Sequence, residues 1–203
     1  VIAALNSAGG GTLAATATVP IAAVDIAIHN AIGVEASAIG NHEFDLGSRV
    51  LSDAIKGASG ALGAQFPHIS ANLDFSGDAD LKSIHVDTTA TAGLELASAL
   101  KGKIVPSAIL VENGAKIGLV GVTTQILEAI SSPSGTEVKG FPTGPGANGE
   151  ADDMTLLAAQ LQPVVDDLTA QGVNKIVLLS HLQILGNEKL LATKLSGVDI
   201  VIA

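Results

Sequence analysis

The chain has 203 residues, enough for one α/β domain with a substantial core. Its net charge is −10 and Arg49 is its sole arginine, which excludes a general nucleic-acid surface built from clustered Lys and Arg. It has no Cys, hence no disulfide and no thiolate metal site. Tyr and Trp are absent too, and no apolar run reaches the ~18–20 residues that span a bilayer.

Val1 to Leu5 reads as the tail of a helix, and residues 6–18, with Gly9-Gly10-Gly11, as a loop. The chain opens on Val1 without a signal peptide, so it reads as a piece of a longer protein. Pro20 predicts a helix start, apolar periodicity carries it through Ile32, and Gly33 is a C-terminal stop. His29 within it is a surface or packing residue. An apolar run from Val34 to Ile39 then leads into Gly40-Asn41-His42-Glu43-Phe44-Asp45-Leu46-Gly47, and a helical pattern follows to Ala58. This is strand, tight loop, helix, with polar groups at the carboxyl end of the strand, where open α/β sheets hold ligands.

The residue types at that strand end are chemically specific. Asn41 offers an amide oxygen, a hard ligand for a divalent cation. His42 can donate a proton to an oxygen gaining negative charge, and Asp45, three residues on, can hold its ring in one tautomer. The plainer alternative is a helix start where Asn41 or Asp45 caps free N–H groups.

Further along, residues 68–73 read as one short strand after Pro67, with Asn72 as a structural residue. Residues 75–103 are poorly patterned and read as a solvated insertion; Gly77-Asp78-Ala79-Asp80 lacks the spacing of a calcium loop, and His85 is given no role. Ile104 to Glu112 and Ala115 to Thr123 read as a hairpin turning at Asn113-Gly114. Residues 131–150, rich in Pro and Gly, read as a surface loop. Asp152 or Asp153 caps a helix with Leu157, Leu161, Val164, Val165 and Leu168 on one side, which Pro163 is expected to kink or split. Lys175 to Ser180 is a buried parallel strand ending at His181, residues 188–195 a helix, and Val198 to Ala203 a last strand. His181 repeats the first arrangement, a polar residue at the carboxyl end of a buried strand.

The letters GNHEFDLG, Gly40 to Gly47, resemble the signature of the calcineurin-like metallophosphoesterases, and most closely their 5'-nucleotidase branch. SANL, Ser70 to Leu73, KIGLVGVTT from Lys116, and VLLSH ending at His181 resemble the same family. The resemblance implies an α/β fold of four layers, α/β/β/α, with mixed sheets, here partial: one metallophosphatase domain over 1–203 with flanking motifs missing. It implies two divalent cations (Zn, Mn, Fe or Co), with Asn41 and His181 as metal ligands, His42 as the catalytic group and Asp45 orienting it. It implies hydrolysis of a nucleotide or other phosphomonoester, export from the cell, and a further C-terminal domain that grips the substrate. The family's D-x-H, bridging G-D and late G-H-x-H motifs have no counterpart here, and no Asp precedes Asp25. The alternatives are a degenerate scaffold that binds without catalysis, and a phosphodiesterase acting on cyclic nucleotides or other diesters.

Overall fold

The computed structural model describes residues 22–58, 60–88, 96–140 and 152–203; the readings made for 1–21 and 141–150 lie outside these segments. Helix α1 (Ala23–Ile32) stops at Gly33, whose φ of 79° is the left-handed cap expected of that glycine. Strand β1 (Ser37–Ala38), a 3-10 turn (His42–Phe44) and helix α2 (Ser48–Lys56) follow. Next come β2 (His68–Ile69), β3 (Leu73–Asp74), a 3-10 turn (Ala97–Ala99), β4 (Ile104–Val105), β5 (Ser107–Glu112) and β6 (Ala115–Thr123). The chain continues through α3 (Leu127–Ile130), β7 (Glu137–Val138), α4 (Met154–Ala170), β8 (Ile176–His181), α5 (Leu185–Ala192) and β9 (Ile200–Ile202).

Two sheets face each other. The first is parallel, in the order β1-β2-β4; the second, β5-β6-β8-β9, is mixed, with an antiparallel hairpin followed by parallel neighbours. The hairpin turns at Asn113 and Gly114, both at positive φ (49° and 81°), as a two-residue turn between right-twisted strands requires. Ile69 and Val105 of the first sheet pack against Ala108 and Leu119 of the second. Outside the first sheet, Ile26 of α1 and Ala54 of α2 close over Phe66, while Leu51 and Ile55 of α2 meet Ile39 and Ile104. Outside the second, Leu157, Leu161, Val164, Val165 and Leu168 of α4 cover Val120, Val122, Ile176 and Leu178. The layers therefore run helix, sheet, sheet, helix.

Several local expectations need correction. Residues 68–73 are not one strand: the parallel ladder ends at Ile69, Ala71 N–H donates across to Gly121 O in the other sheet (2.8 Å), and Leu73–Asp74 pairs with Glu137–Val138. Residues 75–84 are not a solvated insertion. Phe75, Leu81 and Ile84 are core, and the buried Asp78 carboxylate accepts from Asp80 N, Leu81 N and the Thr136 hydroxyl, each at 2.9 Å. Within 131–140 the expected surface loop contains β7, with Thr136 and Val138 buried. Pro163 does not split α4, which is continuous over 17 residues. The carbonyl four residues back, on Ala159, belongs to a solvent-exposed residue, so water can replace the lost N–H partner. The helix predicted at 188–195 runs from Leu185 to Ala192, because the turn after His181 is only three residues long. The last strand is Ile200–Ile202.

His68 on β2 is 4% exposed, stacked beside Phe66 at 5.1 Å, and its Nδ1 has no partner. Burial, and secondarily the charge of His29, lowers its pKa to about 4. In the unfolded chain it titrates near 6.5, so the stability it contributes is complete above that pH and declines as pH falls toward 4. The loss amounts to about 3 kcal/mol at the acid end. His68→Leu is expected to remain within about 1 kcal/mol of the parent at pH 7.5 and to flatten this slope. Denaturant unfolding from pH 7.5 to 4.5 measures it.

Candidate active site

The site is assembled where the two sheets meet at their carboxyl ends. Thr123 ends β6 and lies in register with His181, the end of β8. The Thr123 hydroxyl donates to the carbonyl of Ile39 (2.7 Å), the residue just before Gly40-Asn41, and receives the Ser70 hydroxyl at 2.9 Å. Asn72 clips the same strand: its amide donates to Thr123 O (2.7 Å) and its oxygen accepts Thr123 N–H (2.9 Å). Thr123 and Asn72 are fully buried, and Ser70 almost so, which makes Asn72 structural, as expected. The loop tip carrying Asn41 is thus fixed to the strand beside His181.

Asn41 and His181, 140 positions apart in sequence, come together with Oδ1 and Nε2 at 2.8 Å. Asn41 is 4% exposed and His181 is partly buried. The approach requires Gly40: a Cβ there would lie 2.9 Å from His181 Cδ2 and 3.1 Å from Glu43 Oε2. Glu43, given no role from sequence, closes the loop by accepting Gly40 N–H at 2.7 Å.

The second pair is His42 and Asp45. His42 Nδ1 donates to Asp45 Oδ2 at 2.7 Å, across one turn of 3-10 helix. That hydrogen bond, then the Asp45 charge, raises the His42 pKa above its ordinary 6.5, and the same bond lowers that of Asp45. With Nδ1 committed, Nε2 is left as the ring's outward donor. Ser131 joins the two pairs, its hydroxyl lying 2.7 Å from Asn41 O and 3.2 Å from Asp45 Oδ1. Capping contributes little here, since neither Asn41 nor Asp45 makes a side-chain cap bond.

Sequence reasoning singled out Asn41, His42, Asp45 and His181, and the structure brings them together as two adjoining pairs. It missed Ser131, Gln183 and Glu188. Ser131 sits in a Pro-bearing loop without periodicity, so nothing local marks it. Gln183 donates through Nε2 to Asn41 Oδ1 and lies 3.1 Å from His181 Nε2. The buried Glu188 accepts Leu182 N–H at 3.1 Å and the Ser180 hydroxyl at 3.4 Å, gripping the turn after β8.

An amide oxygen and an imidazole nitrogen suit a borderline divalent cation. Two donors bound ~2.1 Å from one ion at right angles lie about 3 Å apart, close to the separation of Asn41 and His181. The donor pair therefore fits a cation. Among the described residues no group of three His, Asp or Glu side chains stands together as a metal cluster.

The sheet-on-sheet sandwich, with its polar groups gathered at the strand ends, defines a metallophosphoesterase-type fold. No family model matches the chain. It is 33% identical over 175 residues to a 5'-nucleotidase of Diplobatis ommata, a match covering 85% of this chain and 23% of that protein. It is 32% identical to a trifunctional nucleotide phosphoesterase protein of Bacillus subtilis, covering 88% of this chain and 12% of the relative. Among solved structures it is similar to the 5'-nucleotidase precursor of Thermus thermophilus, with TM-score 0.60, 32% identity, and coverage of 88% of this chain and 27% of that one. The chain belongs to the 5'-nucleotidase branch of the metallophosphoesterases, a family that is metal-dependent in general. It spans about a quarter of the length of the first of these relatives.

Thr123→Val, nearly isosteric, leaves the buried Ile39 carbonyl without its donor, while the Ser70 hydroxyl keeps Asn72 Oδ1 at 3.3 Å. A loss of about 1–3 kcal/mol is expected. Thr123→Ser, which keeps the hydroxyl, is expected to recover most of it. Denaturant midpoints of the two variants beside the parent check the difference.

Proposed function

We propose that the protein containing this chain is a metal-dependent phosphomonoester hydrolase acting on nucleotides, with its reaction centre at Asn41, His42, Asp45 and His181. The observation that carries this reading is the convergence of Asn41 and His181 at 2.8 Å beside the His42–Asp45 pair. Membership of the 5'-nucleotidase family supports it. Divalent cations supply Lewis-acid polarisation of a phosphoryl oxygen and a bound water of lowered pKa. Asn41 and His181 would hold one of two such ions, and the N/O donor set admits Zn, Mn, Fe or Co.

The chain's own residues contribute the following. Asp45 keeps the His42 ring oriented and favours its protonated form. His42 Nε2–H then donates to the oxygen that gains charge as the phosphorus–oxygen ester bond breaks, and passes it the proton. Ser131, within reach of both Asp45 and the Asn41 backbone, sets the spacing between the proton donor and the cation ligands. With net charge −10 and one arginine, the chain would hold phosphate through bound cation and hydrogen-bond donors rather than through a basic patch.

The nucleoside is gripped outside the described residues. Phe44, Phe66 and Phe75 are all at most 1% exposed, so no described phenylalanine ring is open to stack on a base. A further domain in the longer protein, and an exported location, follow from the same reading. No described helix is long and apolar enough to cross a membrane.

The test is release of inorganic phosphate from a nucleoside 5'-monophosphate by the full-length protein, before and after chelation. The proposal requires loss on chelation and recovery on adding back a divalent cation; activity indifferent to chelator overturns it. His42→Ala is expected to lower kcat about 10²–10⁴-fold. Because His42 must be protonated and its pKa is raised, activity is expected to persist above pH 6.5 and to fall as pH rises through that raised value. Asp45→Asn is expected to move this alkaline limb back toward 6.5, as read from the pH profile of kcat.

A further inference from the structure

Gln183 follows β8 by two residues and has a φ of 70°, a left-handed conformation that costs energy for a residue with a side chain. Glu188 enforces the turn, its buried carboxylate accepting Leu182 N–H and the Ser180 hydroxyl on either side of His181. The strained backbone aims the Gln183 carboxamide back at the ends of the two strands.

There it closes a triangle of polar atoms. Asn41 Oδ1 and His181 Nε2 are 2.8 Å apart, Gln183 Nε2 is 3.1 Å from His181 Nε2, and Gln183 Nε2 also contacts Asn41 Oδ1. These three contacts cannot all be hydrogen bonds. If His181 Nε2 carries a proton and donates to Asn41, it faces the Gln183 amide donor against donor. If it carries none and accepts from Gln183, its lone pair faces that of Asn41 Oδ1. One side of the triangle is unfavourable in either tautomer.

A carboxamide has an oxygen opposite its nitrogen, and a half-turn about its last bond exchanges them. With Gln183 Oε1 inward, three lone-pair atoms from Asn41, His181 and Gln183 face one point, as three donors on one face of a divalent ion do. We propose that Gln183 is a third protein ligand of the cation held by Asn41 and His181, supplying its side-chain oxygen. The inference rests on the reading of those two residues as cation ligands.

The experiment uses the full-length protein stripped of metal and titrated with Co(II), read by its visible absorption and by competition with a chelator. Gln183→Gly removes the amide and also relieves the left-handed backbone. It is expected to unfold at the same or a higher temperature than the parent, yet to bind Co(II) at this site roughly tenfold or more weakly with an altered absorption band. Gln183→Glu, which keeps an oxygen there, is expected to retain or tighten binding. A Gln183→Gly protein with affinity within twofold of the parent and an unchanged band overturns the inference. His181→Ala separates the two levels. If it weakens Co(II) binding while Gln183→Gly does not, only the Gln183 assignment fails. If His181→Ala leaves Co(II) binding intact, the underlying cation site fails, and the Gln183 assignment with it.

Discussion

One hydroxyl joins the two halves of this sandwich at the point where its chemistry is gathered. Thr123 lies on the second sheet, in register with His181, and donates to the Ile39 carbonyl at the end of the first. Ile39 is fully buried, so its carbonyl has no water to turn to. A backbone group that must be satisfied, and one side chain able to satisfy it, therefore set how far Asn41 stands from His181. Asn72 and Ser70 brace Thr123 from the same side, making the seam a small buried network rather than a single bond.

Close approach depends equally on what is missing from two side chains. At Gly121 a Cβ would collide with the Ile69 carbonyl, and at Gly40 it would press on the His181 ring. These positions let the sheets touch backbone to backbone at their carboxyl ends, while Ile69, Val105, Ala108 and Leu119 fill the space between them elsewhere. The site is thus held by rigid strand ends on one side and a short 3-10 turn on the other. That division suits chemistry in which cation ligands stay fixed and an exposed imidazole meets the substrate.

The charge distribution follows the same division. An acidic chain with a single arginine has little with which to attract a phosphate by itself. What it offers is neutral or anionic: an amide, imidazoles and carboxylates. On the proposed reading, a donor set of this kind would gather a cation first, and the cation would then attract the anion. Asp45 has a complementary part, since its charge favours the protonated His42 and so provides one positive group at the rim.

Much of this was legible in the sequence because it is local. Gly33 and Gly114 announce their turns through the backbone angles they permit, the stripe from Leu157 to Leu168 announces one buried helix face, and Gly40 to Gly47 carries its chemistry in adjacent letters. Asn41, His42, Asp45 and His181 were singled out that way, and the family was recognised there. Residues 75–84 were misread because their burial comes from Asp78 bonding its own turn and Thr136, a partner 58 positions away that no periodicity reveals. Ser131, Gln183 and Glu188 escaped for the same reason, as each acquires meaning only from what folding sets beside it. The sequence alone determined which groups could perform the chemistry. The tertiary structure alone decided their distances, because those are set by hydrogen bonds and close contacts between strands that lie far apart along the chain.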